Sequence, residues 1–555
     1  MMTSNSSSRT PSGSRLNFHP LMIFAVVWAL ATIIHLLSFP FWARTWQGWL
    51  VVLMFGLVLL QPRSLSRFTV FLIASLLNLF RAMPFVPNHV LFEGMVNLTI
   101  LIAISWSVLR VTTLAMLWGE LSKLISKRSL ELAAFAGYVA LMQTYENEYV
   151  CGSATGLILI WFHFAKLGEE TSTDSRQKLY ESFAPILRWE MAIMYFWAAI
   201  QKMNWDYFNP QVSSAVHLHT EIAAILPFVP DHEFVHPLAI WGSLICELGI
   251  PILLLITATR WWGILAALAF HLFLSIHPHP GIYSYSALVY GLIVVFFPME
   301  MLQKLQSNWE HQFERLRNLT FTSLRKEYLV FAINGLFFAT VILFGINYIL
   351  MGETKETFLL NSRIGFFLWY LLACWLGASY WKAGWQLEEN RWSIPMALPG
   401  TPAVIGLLLV IGNGLNPWLG LKTQTSFSMF SNLRTEFASN HLFLKRVDLF
   451  DYQQDMVEVV AAEPDILTPT EKPNGIEQFA NPGHILPFVE LRRLLDRVEG
   501  DVKIAVVRNG QQELIERSGK EVSHPEAFKP LTVAENKLLW FRRHEAWAGP
   551  MPCTH

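Results

Sequence analysis

The chain has 555 residues, of which 53% are hydrophobic and 15% charged, and its formal net charge is −1. A soluble domain carries about 25% charged residues, so the composition excludes an ordinary globular protein. The near-neutral balance offers no basic footprint for nucleic acid and no bias toward acidic substrates.

Residues 1–19 form a polar, Ser-rich tail with Arg9 and Arg15 ahead of the first apolar run. Without a small-residue cleavage site, that run reads as an uncleaved signal-anchor. Apolar segments then recur at 21–39, 48–61, 68–82, 92–116, 130–144, 150–166, 184–202, 237–258, 262–277, 284–299, 328–350, 364–381 and 397–417. Several are short enough to be re-entrant or interfacial. They predict an all-α polytopic membrane protein, a bundle of about 10–13 spans over residues 20–421 embedded in the lipid bilayer.

Basic residues alternate between the loops. One set holds Arg63 and Arg67, then Lys123, Lys127 and Arg128, then Arg176 and Lys178, and continues through Arg260, Lys304, Arg315 and Lys382. Residues 145–149, 203–236 and 278–283 hold no Lys or Arg, and the exceptions on that side are Arg81, Lys355 and Arg363. The positive-inside rule places the first set in the cytoplasm. The second set, and everything past Leu421, is then extracytoplasmic.

Residues 422–555 read as a small extramembrane α+β domain. Val502–Val507 and Gln511–Ile515 flank Asn509-Gly510, a hairpin signal. Val489 to Val498 has helical spacing. The four cysteines, Cys151, Cys246, Cys374 and Cys553, lack zinc or redox spacing. Cys246 and Cys374 fall in apolar runs and read as small core residues.

Polar residues gather on the basic-poor side: Asn147, Glu148 and Tyr149, then Lys202, then the histidines and carboxylates of 203–236. Glu247 and His271 sit near the middle of consecutive apolar segments and are expected to share a hydrogen bond. Lys202 ends an apolar run and admits two readings. It snorkels to the headgroups as an anchor, or it faces the bundle interior, where desolvation favours the neutral amine and makes it a base. The stripe Met191, Tyr195, Ala198, Lys202 favours an inward face. His217, His219, His277 and His279 suggest metal ligands, but no helical metal motif accompanies them and no metal is expected.

At these residues the chain resembles a known family. Phe196-Trp-Ala-Ala-Ile-Gln-Lys202-Met-Asn-Trp205, Glu247-Leu-Gly-Ile-Pro, Phe270-His271 and Gly281-Ile-Tyr-Ser-Tyr285 are similar to the HTTM family (horizontally transferred transmembrane domain), which includes the vitamin K-dependent γ-glutamyl carboxylases. Met429-Phe-Ser-Asn-Leu-Arg434 and Ser439-Asn440-His441 resemble a segment following the last spans of bacterial members. The resemblance covers about residues 20 to 445.

It implies a lipid hydroquinone, vitamin K hydroquinone or a related menaquinol, with Lys202 as the base that deprotonates it and His271 orienting or sharing a proton. In the carboxylases, oxygenation then yields a strong base that removes a γ-hydrogen from a substrate glutamate, and CO2 adds. Trp197, Trp205, Tyr283 and Tyr285 would wall in the quinol beside Asn147, Glu148 and Tyr149, and Glu247 would join the catalytic group. Two departures stand out. Asn147-Glu148 replaces an Asn-His pair, and the C-terminal domain is shorter than the propeptide-gripping domain of carboxylases. The expectation is a carboxylase-like enzyme using Lys202 at the outer face, on a peptide or protein substrate. The alternatives are a non-catalytic membrane factor binding a lipid or peptide, and last a transporter.

Overall fold

The computed structural model describes residues 20–111, 173–320, 326–352, 355–385, 387, 389–436, 439–463 and 484–553. The membrane part contains α1 (Pro20–Ser38), α2 (Trp46–Leu60), α3 (Leu65–Ala82), α4 (Asn88–Val111), α5 (Thr173–Ile200), α6 (Trp205–Phe208) and α7 (Ser214–Ile225). It continues with α8 (His236–Leu255), α9 (Arg260–Leu274), α10 (Pro280–Leu292), α11 (Met299–Thr320), α12 (Lys326–Met351), α13 (Lys355–Trp385) and α14 (Val404–Leu415).

Local chemistry sets the boundaries. Thr45 and Ser64 cap α2 and α3 by accepting from the Gly48 and Arg67 amides, filling donors that a helix start leaves open. His279 does the same for α10, accepting from the Gly281 amide, with Pro280 at the first position.

α1 is the central helix, packed against α2, α5, α10 and α13. Phe24 and Trp28 are fully buried, and Trp28 Nε1 donates to Asn97 Oδ1 of α4 at 2.8 Å. α8 lies at the periphery and exposes Leu238, Trp241, Ile245 and Ile252, as a lipid-facing helix does.

Each apolar segment expected within the described residues coincides with a helix. Among the described residues, five helices are long and apolar enough to cross a membrane: Pro20–Ser38, Leu65–Ala82, Asn88–Leu109, His236–Leu255 and Phe358–Trp385. A sixth crossing arises if Pro280–Phe296 and Met299–Gln312, bent by 119°, act together. The bend falls at Pro298, which cannot donate to the helix ladder. α2 and α14 are too short, with 15 and 12 residues. The segments at 130–144 and 150–166 lie outside the described residues.

The C-terminal domain adds α15 (Phe488–Leu495), α16 (Val533–Leu538) and an antiparallel five-stranded sheet. Its strands are β1 (Met456–Glu463), β2 (Ile485–Pro487), β3 (Val502–Arg508), β4 (Gln511–Ser518) and β5 (Glu521–Val522), in the order β2-β1-β3-β4-β5. The expected hairpin is β3–β4: Arg508 pairs with Gln511 across Asn509 and Gly510, both with positive φ, as a type I′ turn requires. Val457, Val459, Leu491, Leu495, Ile504, Val506 and Ile515 form its core.

This domain, the 203–236 loop and the 278–283 loop share one end of the bundle. Asn204 bridges to His441, His279 faces the Phe430 ring at 6.2 Å, and Lys537 Nζ donates to the Arg81 carbonyl at 3.2 Å. Cys374 departs from its expected core position: it is exposed on α13 beside exposed Leu371 and Phe367. An apolar run in a membrane helix can face lipid as readily as core, so hydropathy does not separate the two.

Candidate functional site

Lys202 follows the last turn of α5 and is 5% exposed. Its Nζ lies 2.9 Å from both carboxylate oxygens of Glu247 on α8 and donates to the Ala198 carbonyl at 3.3 Å. Met191, Tyr195 and Ala198 are buried with it. The stripe packs inward, and Lys202 is buried with it.

The loop 422–442, after α14, holds this helix end in place. Gln201 Nε2 donates to the Ser426 carbonyl at 2.7 Å, the Trp205 amide to the Asn440 carbonyl at 3.1 Å, and the Leu442 amide to the Met203 carbonyl at 2.9 Å. His441 Nε2 meets the Ile200 carbonyl at 2.9 Å. Thr425, Phe427, Phe430 and Asn432 of this loop take positive φ. Such backbone costs free energy in non-glycine residues and persists where its surroundings over-determine it. Here it lets Phe427 donate its amide to Asn88 Oδ1 at 2.6 Å, while Asn432 accepts from the Ser214 amide at 2.9 Å.

Lys202 and Glu247 open onto a cavity of about 300 Å³. Aromatic faces come from Phe270, Tyr285, Phe430 and Trp540, and further apolar walls from Phe39, Val86, Leu218, Leu274, Ile282 and Met429. His89, Ser243, His279 and Gln424 add polar groups, and Tyr207, whose hydroxyl meets Ser243 Oγ at 2.5 Å, closes one side. A mostly apolar pocket with a few convergent polar groups is the form small-molecule sites take.

The expected Glu247–His271 hydrogen bond is not made. His271, fully buried, meets the Tyr195 hydroxyl through Nε2 at 2.5 Å and Ser286 Oγ through Nδ1 at 3.4 Å. Both residues lie at similar depth, but Lys202 takes the Glu247 carboxylate and the facing helix α5 offers Tyr195 to the imidazole. His271 touches the Tyr285 ring, centroids 5.0 Å apart, and so stands behind the cavity wall.

Of the expected aromatic walls, Tyr285 alone lines the cavity. Tyr283 points away, its hydroxyl donating to the Ser362 carbonyl at 3.3 Å. Trp197 packs on Trp418, centroids 5.6 Å apart, and Trp205 is 70% exposed. The helical period explains Tyr283 and Trp197: each sits on a different face of its helix from the neighbouring motif residue. Asn147, Glu148 and Tyr149 lie outside the described residues.

Sequence reasoning missed His89, Phe430 and Trp540. His89 sits at the start of a strongly apolar helix, a signal open to intramembrane reasoning, whereas Trp540 reaches the cavity from more than three hundred residues beyond Lys202. Among the described residues no group of three or more His, Cys, Asp or Glu is arranged to hold a metal ion. His217 and His277 instead approach opposite oxygens of Glu221 at 3.3 and 2.7 Å. Burial lowers the His277 imidazole to about 4, with His279 and His217 adding to the effect.

No curated protein and no solved structure matches the chain. The sequence model of the HTTM domain matches residues 132–301. That interval carries Lys202, Glu247, His271 and Tyr285, so the candidate site lies in the part of this membrane protein that matches the HTTM domain.

Proposed function

We propose that the protein is a quinol-dependent, carboxylase-like membrane enzyme, with Lys202 as its base and the cavity as its quinol site. The supporting observation is the position of Lys202 Nζ, buried at the end of an apolar, aromatic-walled cavity and 2.9 Å from Glu247. The cavity suits a flat apolar ring: Phe270, Tyr285, Phe430 and Trp540 present aromatic faces, and Ile282, Leu274 and Leu218 offer apolar contact for a hydrocarbon tail.

A bound hydroquinone supplies an acidic phenolic O–H and two reducing electrons. Lys202, as the amine, takes a proton at Nζ and becomes the ammonium that Glu247 holds. That carboxylate offsets the cost of placing a cation in a low-dielectric site, which an isolated charge could not meet. The apolar wall keeps bulk water from the reacting group. Tyr195 fixes the His271 ring, which buttresses Tyr285 against the cavity. The end of the bundle that carries the cavity and the C-terminal domain is the extracytoplasmic one, a reading supported by the basic-residue asymmetry of the loops.

The test uses the full chain in lipid nanodiscs with reduced short-chain menaquinone and oxygen. Wild type is expected to oxidise the quinol. Lys202→Ala should insert and fold but lose turnover, with partial recovery on adding a small primary amine. Normal turnover in Lys202→Ala rejects the base assignment. Quinol retention without oxidation in wild type makes the protein a lipid-binding factor instead.

A further inference from the structure

A second cavity of about 420 Å³ lies beside the first and shares Phe39, Val86 and Pro87 with it. Glu93 of α4, 2% exposed, lines it. Glu93 Oε1 accepts from Thr32 Oγ1 at 3.0 Å and from Ser75 Oγ at 2.9 Å, and Oε2 lies 2.6 Å from His35 Nδ1. The cavity extends to Arg497 and Asn536, exposed residues of the C-terminal domain. The His35 ring meets the His89 ring edge-on, centroids 5.6 Å apart. His89 lines the first cavity, its Nε2 held by Ser284 Oγ at 2.8 Å.

A buried carboxylate is costly inside a membrane helix and needs a reason to be there. Helix packing accounts for Thr32 and Ser75 as its donors. It does not account for an imidazole pair running from that carboxylate through the partition to the Lys202 cavity.

We propose that His89, His35 and Glu93 form a proton relay from the Lys202 cavity to the second cavity. The relay rests on the reading that the first cavity holds a proton-donating ligand. The N–H bond at His89 breaks and an N–H bond forms at a free ring nitrogen of His35, directly or through one bridging water, while the O–H bond of the ligand in the first cavity breaks to reprotonate His89. The N–H bond at His35 Nδ1 then breaks and an O–H bond forms at Glu93 Oε2. Release of that proton to water in the second cavity restores the carboxylate, and no electrons move. The other titratable or charged groups lining the two cavities are Lys202, Tyr207, Glu247, His279 and Tyr285 in the first and Arg81, Arg497 and Lys537 in the second.

The test is an infrared pH titration of the full chain in nanodiscs without ligand, following carboxylic C=O absorption. Glu93→Gln identifies the Glu93 band by its loss. With His35 intact, His89→Gln and His89→Asn should each shift the midpoint of that band, the signature of coupled titration. Thermal melting verifies that both variants remain folded. An unmoved midpoint in the folded variants overturns the relay, as does absence of any Glu93-dependent band between about pH 4 and about pH 10. Quinol binding is measured separately, by quenching of tryptophan fluorescence with reduced short-chain menaquinone. Failure to bind overturns the quinol site while the ligand-free titration still decides the relay.

Discussion

Asn440 Nδ2 donates to Asp206 Oδ2 at 2.9 Å and to the Asn432 carbonyl at 2.9 Å. One buried amide thus joins the turn after Lys202 to the loop that follows α14. Asn204 completes the turn, donating to the Ser431 carbonyl at 2.6 Å and accepting from the Tyr207 amide at 2.9 Å. Asn440→Ala should strand these buried acceptors and cost about 1–3 kcal/mol. A lower thermal midpoint in detergent checks this, and an unchanged midpoint would show that water replaces the amide.

The Lys202–Glu247 pair should show strong coupling. Lys202→Met or Glu247→Gln alone leaves the partner buried without its counterpart, at about 3–5 kcal/mol. The double variant should cost less than the sum, since no charge is left stranded. Additive losses would mean that each group has another partner.

His271 should couple to Tyr195 and not to Glu247. In double-mutant cycles, Tyr195→Phe with His271→Leu should fall short of additivity by about 0.5–3 kcal/mol. Glu247→Gln with His271→Leu should be close to additive. The reverse pattern in thermal unfolding would contradict the observed hydrogen bonds.

Two buried groups near the domain junction each make stability rise with pH, in separate windows. Burial acts to raise the Glu436 carboxyl, but His544, at 3.4 Å, and Thr423 Oγ1, at 2.6 Å, outweigh it and hold the group at about 2. Its contribution is therefore present above its ordinary value of 4.5 and is lost as pH falls from there toward 2. Glu436→Gln should flatten that acid limb. Burial pushes the Lys422 amine down from 10.5 to about 7. The unfolded chain binds that proton more readily, so stability should rise with pH between about 7 and 10.5, and Lys422→Met should remove the rise. Denaturation midpoints across pH measure both.

Sidedness is open to direct labelling. In a chain with its natural cysteines replaced, Glu233→Cys lies on an exposed loop at the C-terminal-domain end, and Ser307→Cys is exposed on α11. An impermeant thiol reagent added outside cells should modify the first and spare the second. Outside labelling of Ser307→Cys would invert the orientation and move the cavity to the cytoplasmic end.

Much of the architecture is a local property of the chain. Apolar runs fixed by hydropathy, the Asn509-Gly510 turn and the inward stripe ending at Lys202 each depend on neighbours a few residues away, so they are legible without a structure. Lys202 could be singled out for that reason, and most of the family motifs fall within residues 196–285.

Partner choice is not local. Glu247 and His271 have similar depth and spacing in sequence, yet one faces Lys202 and the other Tyr195, because helix rotation and crossing decide which side chains meet. The same holds for Tyr283 against Tyr285, two residues apart on one helix and on different faces. His89, Phe430 and Trp540 reach the cavity, and Glu93 meets His35, only because side chains of α1 and α4 meet and the loop after α14 folds back over α5. Those contacts are long-range packing outcomes, which hydrophobic pattern and spacing leave undetermined and tertiary structure alone selects.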